Sequence, residues 1–115
     1  MSTTPTQPIG GKFKPGIYEK EGILIVVGEE YIERVASALA SPTRLKILRY
    51  LLEHEADVGD VAKIVNQSKA NASAQIRRLE EAGLLKTMYK PGQRGVKKIC
   101  TTGIKEIRLI LAPPQ

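Results

Sequence analysis

The spacing of apolar residues changes several times along this chain, and each change marks a predicted element. Ile17 to Val27, IYEKEGILIVV, is expected to be extended, with Ile23 to Val27 its strongest part and Gly22 a turn. Such a segment either adds a strand, at a dimer interface or against the core, or is an ordered lead-in. From Glu29 to Ala40 the spacing becomes helical: Ile32, Val35, Ala36 and Leu39 fall on one face, and acidic residues sit near the positive end of the helix. Ser41-Pro42 restarts the chain as a second helix, because serine caps well and proline is tolerated in the first turn. Leu45, Ile47, Leu48, Leu51 and Leu52 spread over a wide arc of that helix, which is therefore expected to be the central core element. A short third helix starts near Asp57 or Val58 and buries Val58, Val61, Ala62 and Val65. Asn66-Gln67 is the turn that follows.

The next stretch carries the chemistry. Ser68 is a good N-cap, and Ala72, Ile76 and Leu79 recur at helical spacing up to a stop at Gly83. With those three turned inward, Ala70, Asn71, Ser73, Ala74, Arg77 and Arg78 project outward, and Lys69 and Gln75 belong to the same surface. Small side chains let a helix approach base edges, asparagine pairs with adenine, and arginine grips guanine or phosphate, so this face fits a major groove. Leu84 to Lys90 and Val96 to Thr101 then read as two strands joined by Pro91-Gly92-Gln93-Arg94-Gly95. Lys86, Lys90, Arg94, Lys97 and Lys98 lie on or near this hairpin and would meet a duplex backbone beside the helix. The plainer readings are a solvated helix face and lysines that keep a hairpin edge from aggregating.

After the hairpin, Ile104, Ile107, Ile110 and Leu111 in IKEIRLIL form a short apolar face before Pro113. Pairing of this face with the first helix across a two-fold axis would bury it and make the chain a homodimer; packing within one subunit is the alternative. Met1 to Gly16 is rich in proline, glycine and small polar residues and is expected to be a flexible tail, leaving residues 17–115 as a single DNA-binding and dimerisation domain.

Charge sharpens this picture. The first 60 residues hold 7 Lys+Arg against 9 Asp+Glu, and the remaining 55 hold 11 against 3, within a net charge of +6. The positive half is the half with the candidate DNA surface, as an electrostatic footprint on nucleic acid requires. No apolar run approaches membrane-spanning length and no secretory signal pattern opens the chain, so a cytoplasmic, nucleoid-associated protein is expected. Cys100, the single cysteine, precludes an internal disulfide framework and reads as an ordinary strand residue. Paired carboxylates in a pocket, a nucleophile with a base, and a phosphate-cradling glycine loop are all missing, so no enzyme and no cofactor are expected.

A recognition helix followed at once by a basic hairpin points to a winged helix-turn-helix, mainly α with a small β-hairpin and an extra N-terminal extended segment. Ala38 to Leu85 resembles the ArsR-type winged-helix repressors: ALASPTRLKIL is similar to their opening helix junction, VAKIVNQSKANASAQIRRLEEAGLL to their helix-turn-helix, and the hairpin sits where their wing does. The resemblance implies a dimeric, DNA-binding transcriptional regulator. Metal-sensing members carry two thiolates in a pattern like E-L-C-V-C-D, whereas this chain has Glu55-Ala56-Asp57-Val58-Gly59-Asp60, with Asp57 and Gly59 where the thiolates would be. Neither supplies a soft ligand, and His54 is the only histidine, so no metal site is expected. Ala70, Asn71 and Gln75 also differ from the family's usual residues, so an operator sequence does not carry over.

Three functions follow from these features. In a dimeric regulator, Asn71, Ser73, Ala74 and Arg77 face bases while Lys69, Arg78, Lys90, Arg94, Lys97 and Lys98 bind phosphates. An architectural, chromatin-like protein would coat DNA with the same surface and little selectivity. A winged-helix module for protein interaction, with no duplex binding, is the third.

Overall fold

The computed structural model describes residues 14–112; most of the expected tail, residues 1–13, lies outside them. Two strands, β1 (Gly16–Lys20) and β2 (Ile23–Val27), form an antiparallel hairpin. Four helices follow: α1 (Glu29–Leu39), α2 (Pro42–Leu51), α3 (Val58–Val65) and α4 (Lys69–Glu81), with the two-residue strand β3 (Ala56–Asp57) between α2 and α3. The hairpin β4 (Lys86–Gly92) and β5 (Gly95–Thr101) and a last strand, β6 (Glu106–Ile110), complete the described chain. The helix-turn-helix and hairpin stand as expected, but four helices and six strands make a mixed α and β fold rather than a mainly α one.

The strands form two sheets, ordered β1-β2-β6 and β3-β5-β4. The extended segment of the sequence is therefore a hairpin whose two-residue turn, Glu21-Gly22, has both residues at positive φ, 53° and 82°. Its second strand is buried throughout from Leu24 to Val27. The C-terminal segment differs most from its sequence pattern. Its i, i+3 spacing suggests a helical face, yet it runs as β6, parallel to β2, with Ile23 opposite Glu106 and Val27 opposite Ile110. A short isoleucine-rich run has strong β propensity, and pairing with a fully apolar strand satisfies its backbone where a helix of this length would be marginal.

The core gathers Leu24 and Val26 from β2, Val35 and Ala38 from α1, Ile47 and Leu51 from α2, Val61 from α3, Ala72, Ile76 and Leu79 from α4, and Leu84 and Cys100 beside the wing. Among the described residues no polar or charged residue is fully buried. α2 is less central than its leucines suggest, since Leu45 and Leu52 are 38% and 45% exposed. Ala36 is exposed as well, because the buried stripe of α1 runs through Val35 and Ala38. The centre is shared by β2 and α4, where each fully buried Leu or Ile side chain contributes about 1.5–3 kcal/mol.

Candidate nucleic-acid interface

Local rules fix the helix-turn-helix. Asp57 caps α3 by accepting from the Asp60 N–H at 2.8 Å, while the Asp60 carboxylate accepts from the Asp57 N–H at 3.2 Å, a reciprocal capping box. α3 ends at Asn66 in the left-handed region (φ 56°, ψ 49°), a conformation asparagine tolerates better than most residues. Ser68 then caps α4, its Oγ accepting from the Asn71 N–H at 3.1 Å. Ala72, Ile76 and Leu79 face the core as their spacing requires. Gly83, at φ +79°, turns the chain off the helix; a Cβ there would stand 3.1 Å from Ile17 Cγ2, so the stop needs glycine for backbone and space alike.

The outward face of α4 separates into two groups. Lys69, Ala70, Asn71, Ala74 and Arg77 are exposed and Ser73 is half-buried. Gln75, half-buried, turns back into the subunit, and Arg78, though exposed, bonds to the end of α1. Arg44, in the first turn of α2, donates from Nη1 to Gln75 Oε1 at 2.8 Å, from Nε to the Ala38 carbonyl at 2.6 Å and from Nη2 to the Ser37 carbonyl at 3.1 Å. Arg78 Nη2 adds a bond to Ser37 Oγ at 3.2 Å. The open carbonyls at the end of α1 are thereby tied to α4. Burial, and the charge of Arg78, lower the pKa of the Arg44 guanidinium.

Sequence reasoning missed Arg44, although a signal exists: Ile47, Leu48 and Leu51 lie three, four and seven residues on, so an arginine shares the inward face of α2. Arg44→Met keeps the stem and removes all three bonds. It is expected to cost about 1–3 kcal/mol, checked by urea unfolding, and to weaken duplex binding with no charge removed from the exposed face. A loss below about 0.5 kcal/mol would mean the clamp does not hold α4.

The wing is shorter at its base and tighter at its tip than its sequence suggests. Leu84 and Leu85 are core residues, and Gly92 pairs with Gly95 across the two-residue loop Gln93-Arg94. Gly95 takes φ +103°, which closes such a loop without strain. β3 adds a third strand, placing Ala56 opposite Cys100 and Asp57 opposite Ile99. Tyr89 and Val96, 71% and 70% exposed, flank Arg94 near the tip.

Strand β3 also brings acids to the wing. Lys90 Nζ lies 2.8 Å from Glu55 Oε1 and Lys97 Nζ 3.6 Å from Asp57 Oδ2, while Lys86 pairs with Glu19 at 3.3 Å. Among the described residues, the side chains of Lys69, Arg77, Arg94 and Lys98 make no hydrogen bond or ion pair. The corner at Asp57 and Gly59 joins helix and wing: a Cβ on Gly59 would stand 3.3 Å from Asp57 Oδ1 and 3.6 Å from Lys69 Cε, and Asp57 holds Lys97. The first residue of α4 thus passes beside Gly59, next to the carboxylate that holds a cation of the wing.

The Asp57 carboxyl is held below its ordinary value of 3.8, first by the Asp60 N–H and then by Lys97, against an opposing effect of burial. Stability from a depressed carboxylate is present above the unfolded pKa and fades as pH falls through the folded one. The destabilisation caused by Asp57→Ala, followed by denaturant titration, is therefore expected in full at neutral pH and to shrink once pH drops below 3.8. A penalty constant across that range would remove Asp57's charge from the account.

Burial pushes the Cys100 thiol up to about 11, leaving it protonated and unreactive at neutral pH. Among the described residues no group of three or more His, Cys, Asp or Glu could hold a metal ion, and no helix is long and apolar enough to cross a membrane.

Residues 41–87 match the model of the bacterial regulatory protein arsR family, spanning α2 to the start of the wing. No curated protein matches the chain significantly. Among solved structures, the chain is similar to the homodimeric winged helix-turn-helix DNA-binding domain of a possible ArsR-family transcriptional regulator from Mycobacterium bovis, at 27% identity and a TM-score of 0.56, covering 64% of this chain and 65%, just under two thirds, of that one. NolR from Sinorhizobium fredii is 28% identical with a TM-score of 0.58, over 66% of this chain and 72% of its own. Reduced HlyU from Vibrio cholerae is 27% identical at 0.54, over 64% and 73%. Residues 41–87 are thus similar to the arsR-family helix-turn-helix, and this chain carries them within a winged-helix fold.

Proposed function

We propose that the chain is a homodimeric transcriptional regulator that binds duplex DNA, with α4 in the major groove and the β4–β5 wing on the backbone. The corner at Gly59 carries this reading: Lys69 of α4 passes beside it, and Asp57 next to it holds Lys97 of the wing, so helix and wing are neighbours. Asn71, Ser73, Ala74 and Arg77 face base edges, with Ala70 allowing close approach; Lys69, Arg94 and Lys98 take phosphates directly. Lys90 and Lys97 join them by leaving Glu55 and Asp57, an exchange favoured because exposed ion pairs hold only about 0–1 kcal/mol. Gln75 and Arg78 act by positioning the helix through Arg44 and Ser37. The homodimeric relative from M. bovis supports two protomers per site. Such a regulator works beside DNA in the cytoplasm.

Selection of bound fragments from random duplex at physiological salt tests the reading. A two-fold motif with half-sites about one turn apart, bound roughly a thousandfold or more above non-specific duplex, is expected. A second reading, an architectural coat, is favoured by the bonds that hold Gln75 and Arg78 to the subunit, which leave few side chains free for base readout; under it the selection returns no motif. Failure to bind any duplex at low salt would overturn both and leave a protein-interaction module.

A further inference from the structure

We propose that two copies of the chain join edge to edge through β6, antiparallel and centred on Ile107, so that one sheet runs unbroken through both protomers. This deepens the dimeric reading above and rests on it. Among the described residues β6 ends the order β1-β2-β6 and one side of its backbone is open. Glu106 N–H donates to the Gly22 carbonyl at 3.3 Å, the residue before its register partner Ile23. A parallel ladder of that phase uses Glu106, Arg108 and Ile110 toward β2 and turns the N–H and C=O of Ile107 and Leu109 to the open edge. An unguarded edge of this kind is a template for another strand.

Charge selects the register. Glu106 and Arg108 share the face away from the core and already pair within the strand at 2.8 Å, both about half exposed. Centred on Ile107, an antiparallel pair sets Glu106 opposite the partner's Arg108 twice, at non-hydrogen-bonded positions where side chains lie closest. Centring on Arg108 would oppose two guanidiniums, and centring on Leu109 would leave all four charges unmatched.

The apolar side agrees. Leu109, 41% exposed on the core-facing side of β6, falls opposite the partner's Lys105. Beside Lys105 runs a groove of about 210 Å³ lined by Leu45, Leu48, Leu52, Ile104 and Ile107. Each protomer thus offers an exposed leucine on β6 and a groove beside it, which is the self-complementarity a two-fold interface demands. The exposure of Leu45 and Leu52, unexplained within one subunit, finds its cover in the second copy.

Sedimentation equilibrium on the full chain and two charge reversals is the test. Wild type is expected to be dimeric. Glu106→Arg and Arg108→Glu each place like charges opposite one another and should weaken self-association at least about tenfold. An equimolar mixture of the two restores both cross-strand pairs and should form a heterodimer as tight as wild type. Separately, Ile107→Cys should give a disulfide-linked dimer on mild oxidation, since directly opposed positions lie about 5.5 Å apart between Cα atoms. Variants that remain dimeric alone, a mixture that stays monomeric, or absence of the cross-link would overturn the β6 interface while leaving a dimeric regulator standing. A wild type that is monomeric both free and on DNA would overturn the dimeric reading with it.

Discussion

Raising salt from 50 to 200 mM is expected to weaken binding of the dimer to duplex DNA roughly 10³- to 10⁵-fold, because each phosphate neutralised releases a condensed counterion. Each protomer brings Lys69, Arg94 and Lys98 unpaired and Lys90 and Lys97 on exchangeable carboxylates. On the proposed reading, two protomers together would engage about eight to ten phosphates. Replacing Arg94 and Lys97 by alanine removes four charges per dimer and should flatten the logarithmic salt slope by about 3 to 4, with sequence preference unchanged. Glu55→Gln should act in the opposite direction, since it frees Lys90 from its 2.8 Å partner and leaves one acid fewer beside the backbone. Fluorescence anisotropy at several salt concentrations reads all three slopes. An unchanged slope in a folded Arg94/Lys97 double variant would take the wing out of the interface.

The largest effect on stability is expected from Ile76→Ala. Ile76 is 1% exposed in the middle of α4, with Ala72 and Leu79 on the same buried face. Truncating a fully buried isoleucine removes its transfer energy and leaves a cavity, together about 2–5 kcal/mol, out of a total of about 5–15 for a domain of this size. Asn71→Ala, on the opposite face of the same helix, should leave unfolding within about 0.5 kcal/mol while altering base preference. Urea unfolding of both, paired with duplex binding, separates the packing of the helix from its reading surface. A loss under about 1 kcal/mol for Ile76→Ala would mean that α4 is not seated as described.

These two residues also illustrate how far the sequence could be read. The recognition helix was legible because its cap, its buried stripe and its stop are all local: Ser68, the Ala72-Ile76-Leu79 spacing and Gly83 each act within one or two turns. The wing was legible for the same reason, with glycines flanking a two-residue loop. What escaped depends on partners distant in sequence. The helical spacing of Ile104, Ile107 and Ile110 lost to the chance of pairing with β2, and nothing in IKEIRLIL itself announces that strand. Gln75 looked like part of the DNA-facing surface because Arg44, 31 residues earlier, is invisible to any local rule. Lys90 and Lys97 looked free because Glu55 and Asp57 reach them only once β3 joins the wing sheet.

The parallel pairing of β2 with β6 has a kinetic meaning. It closes the longest loop in the described chain, joining strands near its two ends, whereas the helix-turn-helix and wing between them close shorter ones. Closing a long loop costs chain entropy before its contacts repay it, so the central elements should assemble first and the seam should zip last. Refolding followed by hydrogen exchange would then protect Ile76 and Leu79 ahead of Leu24 and Val26, and the nascent protein would hold a formed DNA-reading unit before its ends have met.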